Sequence, residues 1–177
     1  MCNNYTNKQN STNNAIMKVI KPPHNLAAIN NSFSVFLAGS IEMGAAENWQ
    51  DHIIEELNDT DVGYILNPRR DNWDASWQQS IENPVFTGQV NWELEALEKA
   101  DLIVFYFSPE TKSPVSMLEL GLFARTKKVI VCCPNGFWRK GNIDIVCQRY
   151  DIKQVETINE LVNEIKQKIS LTSIQEN

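Results

Sequence analysis

One run of residues constrains the fold of this chain more than any other: Ala100, Asp101, Leu102, Ile103, Val104, Phe105, Tyr106 and Phe107. Apart from Asp101 it is apolar without alternation, the pattern of a strand buried on both faces of a parallel sheet. Ser108 and Pro109 break it, a polar stretch follows, and order resumes at Ser113 and Pro114. Proline suits a first helical position and serine the cap before it. The helix predicted over 113–126 carries Glu119 in its second turn, among Val115, Met117, Leu118, Leu120, Leu122 and Phe123. A carboxylate with such neighbours is costly to bury unless something uses it.

The rest of the chain alternates in the same way. Strands are predicted at 33–38, ending on Gly39, at 62–66, at 129–133 and, short, at 152–155. Helices are predicted at 47–58, where Trp49, Ile53 and Leu57 recur four apart, at 88–100 and at 157–170. Thr157 and Glu160 form a capping box for the last of these, with Ile158, Leu161, Val162, Ile165 and Ile169 facing inward. Strand and helix repeated four or five times imply an α/β fold, an open parallel sheet of about five strands with helices on both faces. Right-handed crossovers bring all the strand C-termini to one edge, where ligands bind in such sheets. The loops that matter are then 39–46, 67–87, 108–113 and 134–142.

Composition sets the outer limits. At 177 residues and 42% hydrophobic content, one domain over 31–171 is expected. An asparagine-rich tail over 1–30 cannot bury enough surface to order itself, and a short tail covers 172–177. The net charge of −6 and the lack of a basic stripe argue against a nucleic-acid polymer as partner. No apolar stretch reaches membrane-spanning length, and no basic-then-apolar leader pattern opens the chain, so no membrane partner is expected. Cys2, Cys132, Cys133 and Cys147, with only His24 and His52, give no zinc spacing; buried reduced thiols in a cytoplasmic protein are expected, with no metal and no cofactor.

In the loop from Gly39, the glycine spacing fits neither a dinucleotide fingerprint nor an NTPase phosphate loop. Gly39 and Ser40 either let a ligand approach the backbone or make a plain tight turn. The long loop after residue 66 sets Trp73 and Trp77 among Asn67, Arg69, Arg70, Asp71 and Asp74. These residues can sandwich a flat heterocycle and bond its edge, or pack as a self-supporting flap. Glu93 near a helix start is explained by the dipole alone. Asp101 reads as a cap for the preceding helix and its connection. Glu119 could be a nucleophile, a base, or a structural partner of Arg125 or Lys127; the nearby loop lacks the carboxylates and histidines a metal would want.

Taken together, Phe36 to Ser40, Asn67 to Asp71 with Trp73, Gln89 with Trp92 and Glu93, Ala100 with Asp101, and Ser116 to Gly121 resemble the nucleoside 2-deoxyribosyltransferase family, in its transferase-like branch. The resemblance spans about residues 33–170 and implies a flavodoxin-like fold. It implies that Glu119 attacks the anomeric carbon of a nucleoside, that the base leaves, and that a second base or water resolves a covalent glycosyl-enzyme. Glu93 falls on the family's acidic partner, commonly aspartate, which protonates the leaving base. Gly39, Ser40, Asn67, Arg69, Asp71, Trp73, Ser113 and Ser116 are the implied substrate-binding residues.

Two positions depart from the family. Its first-strand tyrosine, whose hydroxyl orients the nucleophile, is Phe36 here. Relatives that hydrolyse nucleoside 5′-monophosphates approach the glutamate through glycines, where this chain has Pro114, Val115, Ser116 and Met117, although Ser113 keeps a hydroxyl. A phosphate could use Ser40, Ser113, Ser116 and the helix N-terminus. Base exchange, monophosphate hydrolysis and a non-catalytic nucleotide sensor on the same fold are the alternatives. Relatives complete their sites with a neighbouring subunit, so a homodimer or higher oligomer is implied, with Trp138 at an interface or packed on its own domain.

Overall fold

A computed structural model describes residues 17–29, 32–42, 46–71, 74 and 76–175. Among the described residues six strands form one sheet: β1 (Lys18–Ile20), β2 (Ser34–Gly39), β3 (Tyr64–Leu66), β4 (Leu102–Tyr106), β5 (Val129–Cys132) and β6 (Lys153–Val155). Their spatial order is β1-β3-β2-β4-β5-β6, with every pairing parallel. Counted from β2, this is the flavodoxin-like order 2-1-3-4-5, with β1 added at one edge. The order reverses between β2 and β4, which pair from Val35↔Leu102 to Gly39↔Tyr106. A crevice is therefore expected above the C-terminal ends of these two strands.

Helices cover both faces. On one side lie α2 (Pro84–Lys99), α3 (Pro114–Phe123) and α4 (Lys140–Tyr150), whose Trp92, Ala96, Leu120, Ile143 and Cys147 pack on Phe36, Ala38, Ile103 and Phe105. On the other, α1 (Trp49–Glu56) and α5 (Ile158–Gln175) pack Trp49, Ile53, Leu161 and Ile165 on Val35, Leu37, Val104 and Ile130. The alternation of Val35 and Leu37 with Phe36 and Ala38 divides β2 between the two cores, as strand periodicity requires. The capping box forms: Glu160 Oε2 accepts from Thr157 N at 3.0 Å, and Thr157 Oγ1 accepts from Glu160 N at 3.2 Å.

Several expectations are corrected. The tail predicted over 1–30 ends earlier, since β1 pairs with β3, Leu26 is buried and Trp92 Nε1 donates to His24 O at 2.8 Å. Composition averaged over asparagines hid this three-residue strand; residues 1–16 lie outside the described ones. The C-terminal helix continues to Gln175, through most of the tail predicted at 172–177. Helix α2 starts at Pro84 rather than 88, because Asn83 caps it by accepting from Val85 N and proline takes the first position. Helix α4 lies partly in a predicted loop, having a narrow apolar stripe with only Ile143 and Cys147 buried. Asp101 caps no helix. Its Oδ2 accepts from Ser34 N at 2.9 Å and Ser34 Oγ at 2.7 Å, tying the start of β4 to that of β2, while Lys128 Nζ closes α2 by donating to Leu97 O, Glu98 O and Ala100 O.

Candidate active site

Helix α3 is turned inside out relative to its sequence. Ser116, Glu119 and Leu120 are buried, whereas Val115, Leu118 and Leu122 are 57%, 65% and 58% exposed. Glu119, at 7% exposure, thus points into the protein together with Leu120, while Val115, Leu118 and Leu122 face out. The salt bridges considered for it are made elsewhere: Arg125 stacks on Tyr150 at 5.3 Å, and Lys127 pairs with Asp151 at 3.6 Å. A cavity of about 310 Å³ lies beside Glu119 instead, at the end of β2 and beside the loop that follows β3. Ala38, Gly39, Glu42, Arg70, Phe86, Gln89, Glu93, Ser113 and Ser116 also line it.

The cavity brings two carboxylates into electrostatic contact. Burial lifts Glu119 from the ordinary 4.5 to about 8, with the charge on Glu93 adding to the rise. Burial also lifts Glu93 to about 7, against a hydrogen bond from Gln89 that holds it down. That bond, Gln89 Nε2 to Glu93 Oε1 at 2.8 Å, and a second from Nε2 to Pro68 O at 3.1 Å, fix the amide along one wall. Near neutrality the pair carries about one proton between them, the condition for one carboxylate to act as nucleophile and the other as acid. Among the described residues no cluster of three His, Cys, Asp or Glu side chains could hold a metal ion.

The remaining expected residues divide. Gly39 lines the cavity, but what its φ of +141° serves is the sheet: an added Cβ would meet Tyr106 O at 2.3 Å. Ser40 is fully buried and spends its hydroxyl on a closed ring, with Thr111 Oγ1 and Ser113 Oγ each at 2.7 Å and those two 2.8 Å apart, while accepting from Ser108 N at 2.9 Å. Ser113 therefore makes no side-chain cap for α3 and sits in the left-handed region at φ 46°. Ser116 Oγ donates to Gly39 O at 2.9 Å, which docks α3 on the end of β2.

Arg69 borders the cavity, but its guanidinium donates to Ala46 O at 2.8 Å and Glu47 O at 3.3 Å. Asn67 is fully buried beneath that loop, accepting from Arg69 N at 3.0 Å, and does not reach the cavity. Asp71 is not brought to it either, pairing at 2.6 Å with Lys21 beyond β3. Trp73 lies outside the described residues; Trp77 stacks under Arg70 at 5.1 Å. Trp138 packs on its own domain, donating to Lys112 O at 3.0 Å between Lys112 and Arg139. Phe36 is buried against Trp92 at 6.4 Å.

The family model described as "Nucleoside 2-deoxyribosyltransferase like" matches residues 32–137, more than half of the chain. The chain belongs to that family. In this nucleoside 2-deoxyribosyltransferase-like protein the matched segment runs from the start of β2 past α3 and β5, so it includes both carboxylates of the cavity. A conserved protein from Enterococcus faecalis V583 of known crystal structure has the same fold, at a TM-score of 0.55 and 16% identity over 77% of this chain and 99% of that one. No curated protein matches the chain.

Sequence reasoning missed Glu42 and Phe86 as cavity residues, and it named Arg70 only as part of a ligand-contacting or self-packed loop and Gln89 only as part of the resemblance. Glu42 carried no local signal, because its role depends on a partner 70 residues away.

Proposed function

We propose that the protein cleaves the N-glycosidic bond of a 2′-deoxynucleoside or its nucleotide, passing the sugar to a second base or to water. The supporting observation is the pair of carboxylates, Glu119 and Glu93, lifted to about 8 and about 7 in one cavity at the C-terminal end of β2. The shared proton rests mainly on Glu119, the group lifted higher; in the arrangement that reacts it sits on Glu93, which gives it to a ring nitrogen of the leaving base as the C–N bond breaks. The ionised Glu119 attacks the anomeric carbon and forms a glycosyl ester. Water or an incoming base then displaces Glu119, losing a proton to Glu93. A missing 2′-hydroxyl eases both steps, since nothing at C2′ withdraws electrons from the oxocarbenium-like centre.

The exposed stripe of Val115, Leu118 and Leu122, beside the cavity wall, supports a homo-oligomer. The buried thiols of Cys132, Cys133 and Cys147 fit a cytoplasmic setting. A second reading, a nucleotide-binding module without turnover, is favoured by Phe36, which offers no hydroxyl to orient Glu119. Incubation with a panel of deoxynucleosides, ribonucleosides and monophosphates, with and without adenine, decides between them. Base release that Glu119→Ala abolishes supports the enzyme; ligand-induced thermal stabilisation without release sinks it in favour of the module.

A further inference from the structure

We propose that Glu42 is a specificity residue: its carboxylate accepts a hydroxyl at the sugar end remote from the base and rejects a phosphate there. The inference rests on the glycosidic reading of the cavity and narrows its substrate to the nucleoside. Glu42 Oε1 accepts from Lys112 N at 2.6 Å and from Ser113 N at 2.8 Å, so the protein's own anion fills the donor pair at the head of α3. Pro114, the next residue, has no N–H to offer. The hydroxyls of Ser40, Thr111 and Ser113 are engaged with one another and with the backbone of Ser108, whose O accepts from Thr111 Oγ1 and whose N donates to Ser40 Oγ. The groups that would otherwise welcome a phosphate here are thus already engaged.

Glu42 Oε2, by contrast, has no hydrogen bond among the described residues, and Glu42 lines the cavity. It offers an ionic acceptor to a donor such as a sugar hydroxyl. Pro114 and Glu119, both in the cavity wall, lie about 7.5 Å apart along the helix axis at 1.5 Å per residue, a span that accommodates a pentose along α3. Of the two arginines in the wall, Arg69 is bound to backbone carbonyls and Arg70 is stacked on Trp77. Neither pairs with Glu42, so although both cations stay in the wall with an Nε–H each unused among the described residues, a phosphate at the head of α3 would sit directly against the Glu42 carboxylate.

The test compares one 2′-deoxynucleoside with its 5′-monophosphate, by kcat/KM for base release and by calorimetric Kd. Like-charge juxtaposition sets the expected preference of the native protein for the nucleoside at about 100-fold. Glu42→Gln keeps an oxygen for the two N–H groups but removes the charge, and the preference should shrink at least about tenfold. Glu42→Gly, compatible with the φ of 45° at this position, frees both N–H donors and should bind the monophosphate more tightly than the native protein does. A native preference for the monophosphate, or a ratio that Glu42→Gln leaves unchanged, overturns the assignment. Failure of the glycosidic reading looks different: no base is released from any substrate, while the two Kd values and their response to Glu42→Gln still decide the role of Glu42.

Discussion

Glu93 on α2 and Glu119 on α3 face one cavity, and the charge of the first adds to burial in keeping a proton on the second near neutral pH. The two come from helices flanking β4, so the sheet, through its strand order, sets their separation. Coupling of this kind is expensive for the fold and useful for chemistry that needs an acid and a base together.

Base release should follow a bell-shaped pH profile in kcat/KM, with limbs near pH 7 and pH 8. Below the lower limb both carboxylates are protonated and no nucleophile is present; above the upper limb both are ionised and the leaving base finds no acid. Glu93→Gln should abolish the alkaline limb, leave a single ionisation, that of Glu119, below its native value of about 8 because the neighbouring charge is gone, and lower kcat about 100-fold or more. A flat profile across pH 6–9 would count against the pair.

Stability should respond to the same burial with a definite sign. The folded pKa of Glu119, about 8, lies above its ordinary 4.5, so its contribution is whole below pH 4.5 and is lost as pH rises through 8. Glu119→Gln removes that cost and should stabilise the protein by ~2–4 kcal/mol at pH 9, with the gain shrinking towards pH 5. Urea denaturation at the two pH values measures it, and equal differences would contradict the burial argument.

Ser40→Ala should destabilise by about 1–3 kcal/mol, since it leaves Ser108 N–H and two buried hydroxyls short of a partner. Because the ring anchors the loop before α3, kcat should fall with stability. Denaturant midpoints and single-turnover rates on the same sample read both.

Gly39→Ala should cost at least ~2 kcal/mol, since the new methyl group would strike the Tyr106 carbonyl at a backbone angle that alanine avoids. A thermal midpoint within one or two degrees of the native protein's would contradict the close approach of β2 to β4.

Leu118→Asp, at the centre of the exposed stripe of α3, should shift sedimentation from oligomer to monomer while leaving the far-ultraviolet circular dichroism unchanged. A native protein that sediments as a monomer would remove the oligomer from the proposal.

The chain by itself determined the parallel sheet, because a strand buried on both faces must be apolar throughout, and residues 102–107 leave no alternative. It also marked Glu119, a carboxylate among apolar residues on a short helix, whereas Glu93 was marked only by the family resemblance. Tertiary structure decided what their surroundings are. Sequence neighbours on a helix point in different directions, so Val115, Leu118 and Leu122 lie on the outer face of α3 while Glu119 turns inward, and its spatial neighbours come from β2, α2 and the loop after β2. Ser40, Ser113, Arg69 and Asp71 have the chemistry of ligand-binding groups, yet closing the loops gave each an internal partner first. Glu42 gained its position the same way: hydrogen bonds between residues 70 apart arise only when the strand order brings two loops to one edge, and no local pattern encodes that meeting.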